Sequence, residues 1–251
     1  TTLIIHCWRG GMRSRTVAAL LESLNFKVFQ LEGGYKAYRT YVRKKLESYS
    51  IKPKIILLCG MTGTGKTQLL VEFASSIDLE GIARHKGSLF GGIGLIPNNQ
   101  KNFENVLLQR LDAIQNEKYI IVEGEGKRVG NCIIPAFFWK AMKNAIIVEV
   151  TRTMEQRADA IAKEYFDTKE KVLEGIEIVK ILKKNMSNKN KEKTIRLIEQ
   201  KEYTKAVEIL LKEYYDPLYS YTLKNVGYDF SVDNKDVQKA KDIILNYIQK
   251  N

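Results

Sequence analysis

The sequence is poor in the residues that build metal centres and disulfide frameworks. Its 251 residues hold three cysteines (Cys7, Cys59, Cys132) and two histidines. None of these stands at a metal-ligand spacing, which argues against a zinc site. No apolar run approaches the roughly 20 residues that a membrane-spanning helix needs, and no secretory signal opens the chain. The thiols are therefore expected to be reduced, and the protein cytoplasmic and off the membrane. Acidic residues are also scarce: 29 Asp and Glu against 41 Lys and Arg leave a formal charge of +12. That surplus favours a polyanionic partner, nucleic acid first, although a lysine-rich proteome would produce part of it.

What is abundant is glycine at meaningful positions. Gly60-Met61-Thr62-Gly63-Thr64-Gly65-Lys66-Thr67 follows the apolar run Lys54-Ile55-Ile56-Leu57-Leu58-Cys59 and leads into Gln68-Leu69-Leu70-Val71-Glu72-Phe73. Strand, glycine turn and helix carry the G-x-x-x-x-G-K-[ST] spacing of a phosphate-binding P-loop. The glycines let consecutive N–H groups curl inward at the positive end of the helix. Gly60, Thr62, Gly63, Thr64, Gly65, Lys66 and Thr67 are thus the expected phosphate cradle. Lys66 supplies a point charge for the outer phosphate, and the Thr67 hydroxyl can complete a Mg²⁺ shell.

The rest of 54–251 reads as an α/β, P-loop NTPase-like parallel sheet with a helical insertion. Lys118 to Glu123 is a second parallel strand, and Glu123 at its end is placed like the acid that reaches a metal or its water shell. Glu125 and Arg128 follow in a glycine-rich turn at the same sheet edge, where open α/β sheets bind ligands. Ala145 to Val150 is a third strand; after it, Arg152 and Arg157 stand where P-loop kinases place phosphate-contacting arginines; a surface salt bridge is the other reading of both, and for Arg157 it is slightly favoured. Residues 77–92 read as a strand end and then a basic, glycine-rich loop, in which His85 is either an acid, base or substrate contact or a residue without a role. A helical insertion is expected at about 169–215, with a lysine-rich turn at 183–191 that serves as a hinge or a nucleic-acid contact. Tyr228 to Val232 is a last strand, and Asp236 to Ile248 a closing helix.

Residues 1–48 form a separate pattern. Leu3-Ile4-Ile5-His6 is a strand that ends on Cys7-Trp8-Arg9-Gly10-Gly11-Met12-Arg13-Ser14, and a helix follows. A cysteine between a strand tip and a helix N-terminus is where a thiolate is stabilised, and Arg9 and Arg13 are expected to lower its pKa and hold an anion. A second strand over 26–31 leads through Glu32-Gly33-Gly34 into the helix of Tyr35-Lys36-Ala37-Tyr38-Arg39. With "LEGGYKAYR" this stretch resembles the second half of a rhodanese sulfurtransferase domain, a partial rhodanese-like α/β module. The resemblance implies a cysteine that carries a chalcogen in a cradle of loop N–H groups. The C-x₅-R spacing of Cys7 and Arg13 also suits a tetrahedral, phosphate-like anion, so phosphatase-type chemistry stays in view.

Taken together, "CWRGGMRS", "LEGGYKAYR", "GMTGTGKT", "DLEGIARHKGS" and "YYDPLY" resemble the tRNA 2-selenouridine synthase family, from Leu3 through the closing helix. The resemblance implies that wobble 2-thiouridine in tRNA is S-geranylated from geranyl diphosphate, and that selenium from selenophosphate then displaces the S-geranyl group. It implies catalytic roles for Cys7, Arg9 and Arg13, and a diphosphate held by the P-loop, with or without Mg²⁺. The first half of the rhodanese module has no counterpart in the sequence, and a second polypeptide is expected to supply it if the chain is not truncated. Glu123-Gly124-Glu125 is less acidic than the same stretch in many members. Two other readings stay open: a P-loop small-molecule kinase, and a non-catalytic tRNA-binding subunit.

Overall fold

The computed structural model describes residues 1–85, 95–124, 126–182, 186–224 and 226–250. Glu125 and most of the basic loop after His85 lie outside them. The chain divides into two units, Thr1–Ser50 and Ile51–Asn251.

In the first unit, β1 (Thr2–Ile5) and β2 (Lys27–Gln30) run parallel, with Thr2 opposite Lys27 and Ile5 opposite Gln30. Parallel strands need a crossover, supplied here by α1 (Met12–Ser23). α1 ends at Leu24, and Asn25 takes the left-handed conformation (φ 62°) that turns the chain into β2. α2 (Gly34–Glu47) follows β2. The two strands leave apolar side chains uncovered: Ile4 is 68% exposed and Phe29 54%, while Leu20 and Leu24 of the α1 region are 61% and 59% exposed.

The second unit is built on β3 (Lys54–Cys59), the middle of a five-stranded parallel sheet of the expected class. β3 reads as a continuous apolar run because helices cover both faces of such a strand; Ile55, Ile56, Leu58 and Cys59 are all buried. The order is β4 (Ser76–Ile77), β5 (Tyr119–Glu123), β3, β8 (Ile146–Thr151), β9 (Phe230–Asp233), with β6 (Arg128–Val129) and β7 (Cys132–Ile133) forming a separate antiparallel hairpin. Leu57 pairs with Val122 on one side and Ile147 on the other. That register brings the carboxyl ends of β3, β5 and β8 to one edge, where loops can share a ligand. Leu69, Leu70 and Phe73 pack with Ile121, Val148 and Val232 in the core, joined by Ala240 and Ile244 of α12 (Val237–Lys250). The remaining elements include α5 (Gln100–Ile114), capped by the Asn99 side chain, and α6 (Ala136–Met142).

Three boundaries differ from the sequence reading. The P-loop helix α3 is short (Lys66–Leu70) and does not reach Phe73. Beyond β4 the chain forms a helical turn, α4 (Leu79–Ala83), where loop was expected. Asp78 is the reason: its carboxylate accepts from the Gly81 amide at 2.7 Å as an N-cap. The helical block is also wider than 169–215. It runs through α7 (Met154–Tyr165), α8 (Lys169–Ile181), α9 (Asn188–Glu199), α10 (Tyr203–Leu210), a π-helical turn (Leu211–Tyr215) and α11 (Asp216–Lys224). Ala158, Phe166, Val179, Ile198, Val207 and Leu211 share its core, so α7 packs into the block it was read as preceding. No helix among the described residues is long and apolar enough to cross a membrane.

Candidate active site

In the first unit Cys7 stands just past β1, where the chain leaves the strand. Its Sγ accepts from the Gly11 amide at 3.2 Å and from Ser14 Oγ at 3.3 Å. These contacts lower the thiol from 9.0 to about 6, the Ser14 hydroxyl contributing most and the backbone amides of Arg9, Ser14 and Gly11 adding to it against partial burial. A thiolate therefore predominates at neutral pH. The expected cause was different: the Arg9 and Arg13 side chains are exposed and make no hydrogen bond or ion pair among the described residues. Hydrogen bonds at 3.2–3.3 Å act on the sulfur directly, whereas charges on exposed side chains are screened by water. Both guanidiniums remain available to an incoming anion.

Two residues to which the sequence assigned no role hold this cradle. Ser14 is buried at the start of α1. Gln30, at the end of β2, donates from Nε2 to the Gly10 carbonyl at 2.7 Å and to Ser14 Oγ at 2.9 Å. Gly34 explains the Gly-Gly pair: it has φ 59°, and a Cβ there would lie 2.2 Å from the Cys7 carbonyl oxygen. Only glycine lets α2 approach so closely.

In the second unit the P-loop joins β3 to α3. Gly63 (φ 84°) and Gly65 (φ 78°) take left-handed conformations, and a Cβ on Gly65 would meet the Arg152 guanidinium and the Asn234 amide at 2.6 Å. Lys66 Nζ donates to the Gly60 carbonyl at 3.1 Å and the Met61 carbonyl at 3.4 Å, so it lies across the loop. Thr67 Oγ1 donates to Glu123 Oε2 at 3.1 Å, and Lys66 Nζ stands 3.8 Å from Glu123 Oε1. Glu123 is buried at the end of β5. One hydroxyl and one carboxylate oxygen are hard donors that suit Mg²⁺, which keeps much of its shell as water and substrate oxygens. No cluster of three or more His, Cys, Asp or Glu side chains suited to a metal exists among the described residues.

Around the loop runs a second layer of contacts. Arg152 donates from Nε to the Asn234 carbonyl at 2.8 Å and from Nη2 to Gln68 Oε1 at 2.8 Å. Burial lowers its pKa and Asp233 pulls it back up. Asn234, fully buried, donates from Nδ2 to the Thr64 carbonyl at 2.8 Å and the Gly65 carbonyl at 3.0 Å. Arg157 is not the surface residue the sequence suggested; it is 6% exposed. Its Nε donates to the Thr62 carbonyl at 2.8 Å while Nη1 and Nη2 grip both Asp216 oxygens at 3.1 and 2.5 Å. No local signal pointed to Asp216 as the partner of Arg157; it continues helically from the π-helical turn into α11. Gln68 and Asn234 had no such signal.

The P-loop opens into a cleft of about 1610 Å³. Gly63, Lys66, Thr67, Glu80, His85, Glu123 and Arg128 line it. An apolar and aromatic set, Ile161, Tyr165, Tyr214, Tyr215, Leu218 and Tyr219, lines the same cleft. His85 packs against Gly130, and its Nδ1 is buried with no partner among the described residues. The structure thus brings Lys66, Thr67, Glu123, His85, Arg128 and Arg152 to one cleft. Cys7, Arg9 and Arg13 form the other site.

Comparison with known proteins matches residues 53–177 to the family model described as tRNA 2-selenouridine synthase AAA domain. Among the similar curated proteins, one from Chromohalobacter salexigens is 31% identical over 251 residues, covering 90% of this chain and 69% of the relative. Another, from Pseudomonas syringae pv. syringae, is 34% identical over 246 residues (86% and 67%), and one from Hydrogenovibrio crunogenus is 32% identical over 262 aligned residues (91% and 71%). All three carry the name tRNA 2-selenouridine synthase.

Proposed function

Since this chain belongs to the tRNA 2-selenouridine synthase family, we propose that it acts in the cytoplasm as a transferase on tRNA, replacing the sulfur of wobble 2-thiouridine by selenium in two steps. In the first, the 2-thio sulfur attacks C1 of geranyl diphosphate; a C–S bond forms, the C–O bond breaks, diphosphate leaves and the N3 proton of the base is lost. In the second, the P–Se bond of selenophosphate is broken and water takes up the phosphoryl group as phosphate, while the selenide attacks C2 of the modified base; a C–Se bond forms, the C–S bond breaks and geranyl thiolate departs with a proton.

The observation that carries the first step is the meeting of a P-loop and an apolar, aromatic set of side chains in one cleft. A diphosphate needs the loop amides and Lys66, and a prenyl chain needs a surface that gives up water on contact. Lys66 has to swing from the Gly60 and Met61 carbonyls to the leaving oxygens, where its charge stabilises developing negative charge. Thr67 and Glu123 would hold Mg²⁺, which supplies further neutralisation of the diphosphate when bound. Arg152 fixes Gln68 and, through Asn234, the carbonyl side of the loop, so that its amides stay aimed at the ligand. For the second step, the Cys7 thiolate of the other unit attacks the phosphorus of selenophosphate: an S–P bond forms as the P–Se bond breaks and selenide leaves, and water then frees phosphate from the sulfur, with Arg9 and Arg13 free to hold the phosphoryl oxygens.

The open edges of β1 and β2 call for further strands. We assign these to additional polypeptide, either contiguous with this chain or separate.

The test is mass spectrometry of tRNA nucleosides after incubation of 2-thiouridine-containing tRNA with the protein and geranyl diphosphate, then selenophosphate. S-geranyl-2-thiouridine followed by 2-selenouridine is expected. ATP turnover without tRNA, and no modified nucleoside, would instead indicate a small-molecule kinase.

A further inference from the structure

A row of aromatic rings lies beside Cys7 that neither the thiol cradle nor the core accounts for. Tyr35 sits in its centre. Its ring centroid is 5.8 Å from that of Trp8, 6.1 Å from Tyr38 and 6.2 Å from His6, with interplanar angles of 28–40°. The backbone clamps the row to the reactive residue: the Tyr35 amide donates to the Cys7 carbonyl and the Lys36 amide to the Trp8 carbonyl, both at 2.9 Å. Trp8 is nevertheless 47% exposed, although burying an indole is among the larger gains open to a side chain. Its neighbour Arg9 is exposed, as is Lys36 next to Tyr35. The whole unit is basic, with nine Lys and Arg against three Asp and Glu in residues 1–50.

We propose that the Trp8–Tyr35–Tyr38 row, flanked by Arg9 and Lys36, is the surface on which an unpaired RNA base stacks to reach Cys7. The inference rests on the tRNA reading above and adds the surface that serves it. A base held in a helix hides its C2 edge between neighbours, so chemistry at that atom needs a splayed-out nucleotide. Proteins capture such nucleotides with aromatic faces next to cations on the phosphate track. The clamp from Cys7 to Tyr35 means that a base stacked on the exposed Trp8 face is placed relative to the sulfur by rigid backbone. Specificity for an unpaired base then comes from geometry, while Arg9 and Lys36 attract the backbone of any RNA.

Trp8 and Trp139 are the two tryptophans of the chain, so Trp139→Phe leaves Trp8 as the sole indole reporter. The full-length Trp139→Phe protein is titrated with a short RNA stem-loop carrying unpaired uridines and with a fully paired RNA duplex. The stem-loop should quench Trp8 emission and the duplex should not. In the wild-type background, Trp8→Leu and Tyr35→Leu should each weaken stem-loop binding by about tenfold, and Trp8→Phe should restore most of it. A Cys7 alkylation midpoint that stays at its wild-type value shows that each variant keeps its cradle. Stem-loop binding that leaves Trp8 emission unchanged, or that is indifferent to both leucine variants, would overturn the surface while the tRNA reading stands. Failure of the wild-type protein to bind either RNA would overturn that reading and this surface with it.

Discussion

The Cys7 thiol is lowered by hydrogen bonds to its sulfur, the Ser14 hydroxyl first, rather than by nearby charge. Its pKa of about 6 lies below the usual thiol value, so reactivity must rise as pH increases through 6 and then level off. Iodoacetamide alkylation followed by mass spectrometry of the Cys7 peptide should show that profile, with buried Cys59 and Cys132 reacting far more slowly. Ser14→Ala removes the largest cause and should move the midpoint upward; an unmoved midpoint would return the effect to the arginines. Lys66 is the corresponding single residue of the other site. Lys66→Ala should lower S-geranyl-2-thiouridine formation by about 10²-fold or more, with tRNA affinity nearly unchanged, because RNA binding is spread over many cations. Nucleoside mass spectrometry and a filter-binding titration check the two halves of that statement.

The element that most needs explaining is the P-loop together with its supports. Its helix α3 is short (Lys66–Leu70), too short to hold the loop by itself. The loop carbonyls are instead bound from outside: Thr62 by Arg157 of α7, and Thr64 and Gly65 by Asn234 just beyond β9. Arg157 continues to Asp216, which follows the π-helical turn of Tyr214 and Tyr215. One side chain therefore ties the P-loop to the helical segment that carries aromatic residues of the cleft. Removing one partner of a buried pair typically costs about 3–5 kcal/mol; the Asp216 side chain is 21% exposed, so Asp216→Ala should destabilise by somewhat less, about 2–3 kcal/mol. Urea unfolding followed by circular dichroism would measure this. A loss within about 0.5 kcal/mol, the ordinary surface range, would show that the pair contributes little to holding the block against the loop.

At the scale of the whole molecule, the thiolate cradle lies in Thr1–Ser50 and the P-loop cleft in Ile51–Asn251, and the proposed function gives one step to each. Cys7→Ala should then stop selenium incorporation yet leave geranylation intact, so that S-geranyl-2-thiouridine accumulates in tRNA. Loss of both products in that variant would mean the chemistries are not divided this way. The +12 charge predicts a second collective property. Affinity for tRNA should fall linearly on a log–log plot as salt rises, because each neutralised phosphate releases counterions. A flat response in a binding titration across low to moderate salt would mark the lysines as bystander composition.

Much of this was legible in the residues themselves, for a local reason. A P-loop is defined by the order of glycine, lysine and threonine between a strand and a helix, and all of that lies within Gly60–Thr67. The same holds for a cysteine at a strand end and for the apolar run of β3, whose burial on both faces already implied a covered parallel sheet. Tertiary structure decided what joins distant segments. Ser14 and Gln30 meet across 16 residues, Arg157 and Asp216 across 59, and Asn234 reaches Thr64 across 170. No periodicity marks such pairs, because they depend on the strand order β4–β5–β3–β8–β9 and on how α7 packs against α10. Arg157 looked like a surface cation because a single arginine in a helix carries no local mark of a buried partner. Folding placed it between a loop carbonyl and a carboxylate, where a guanidinium can satisfy both at once.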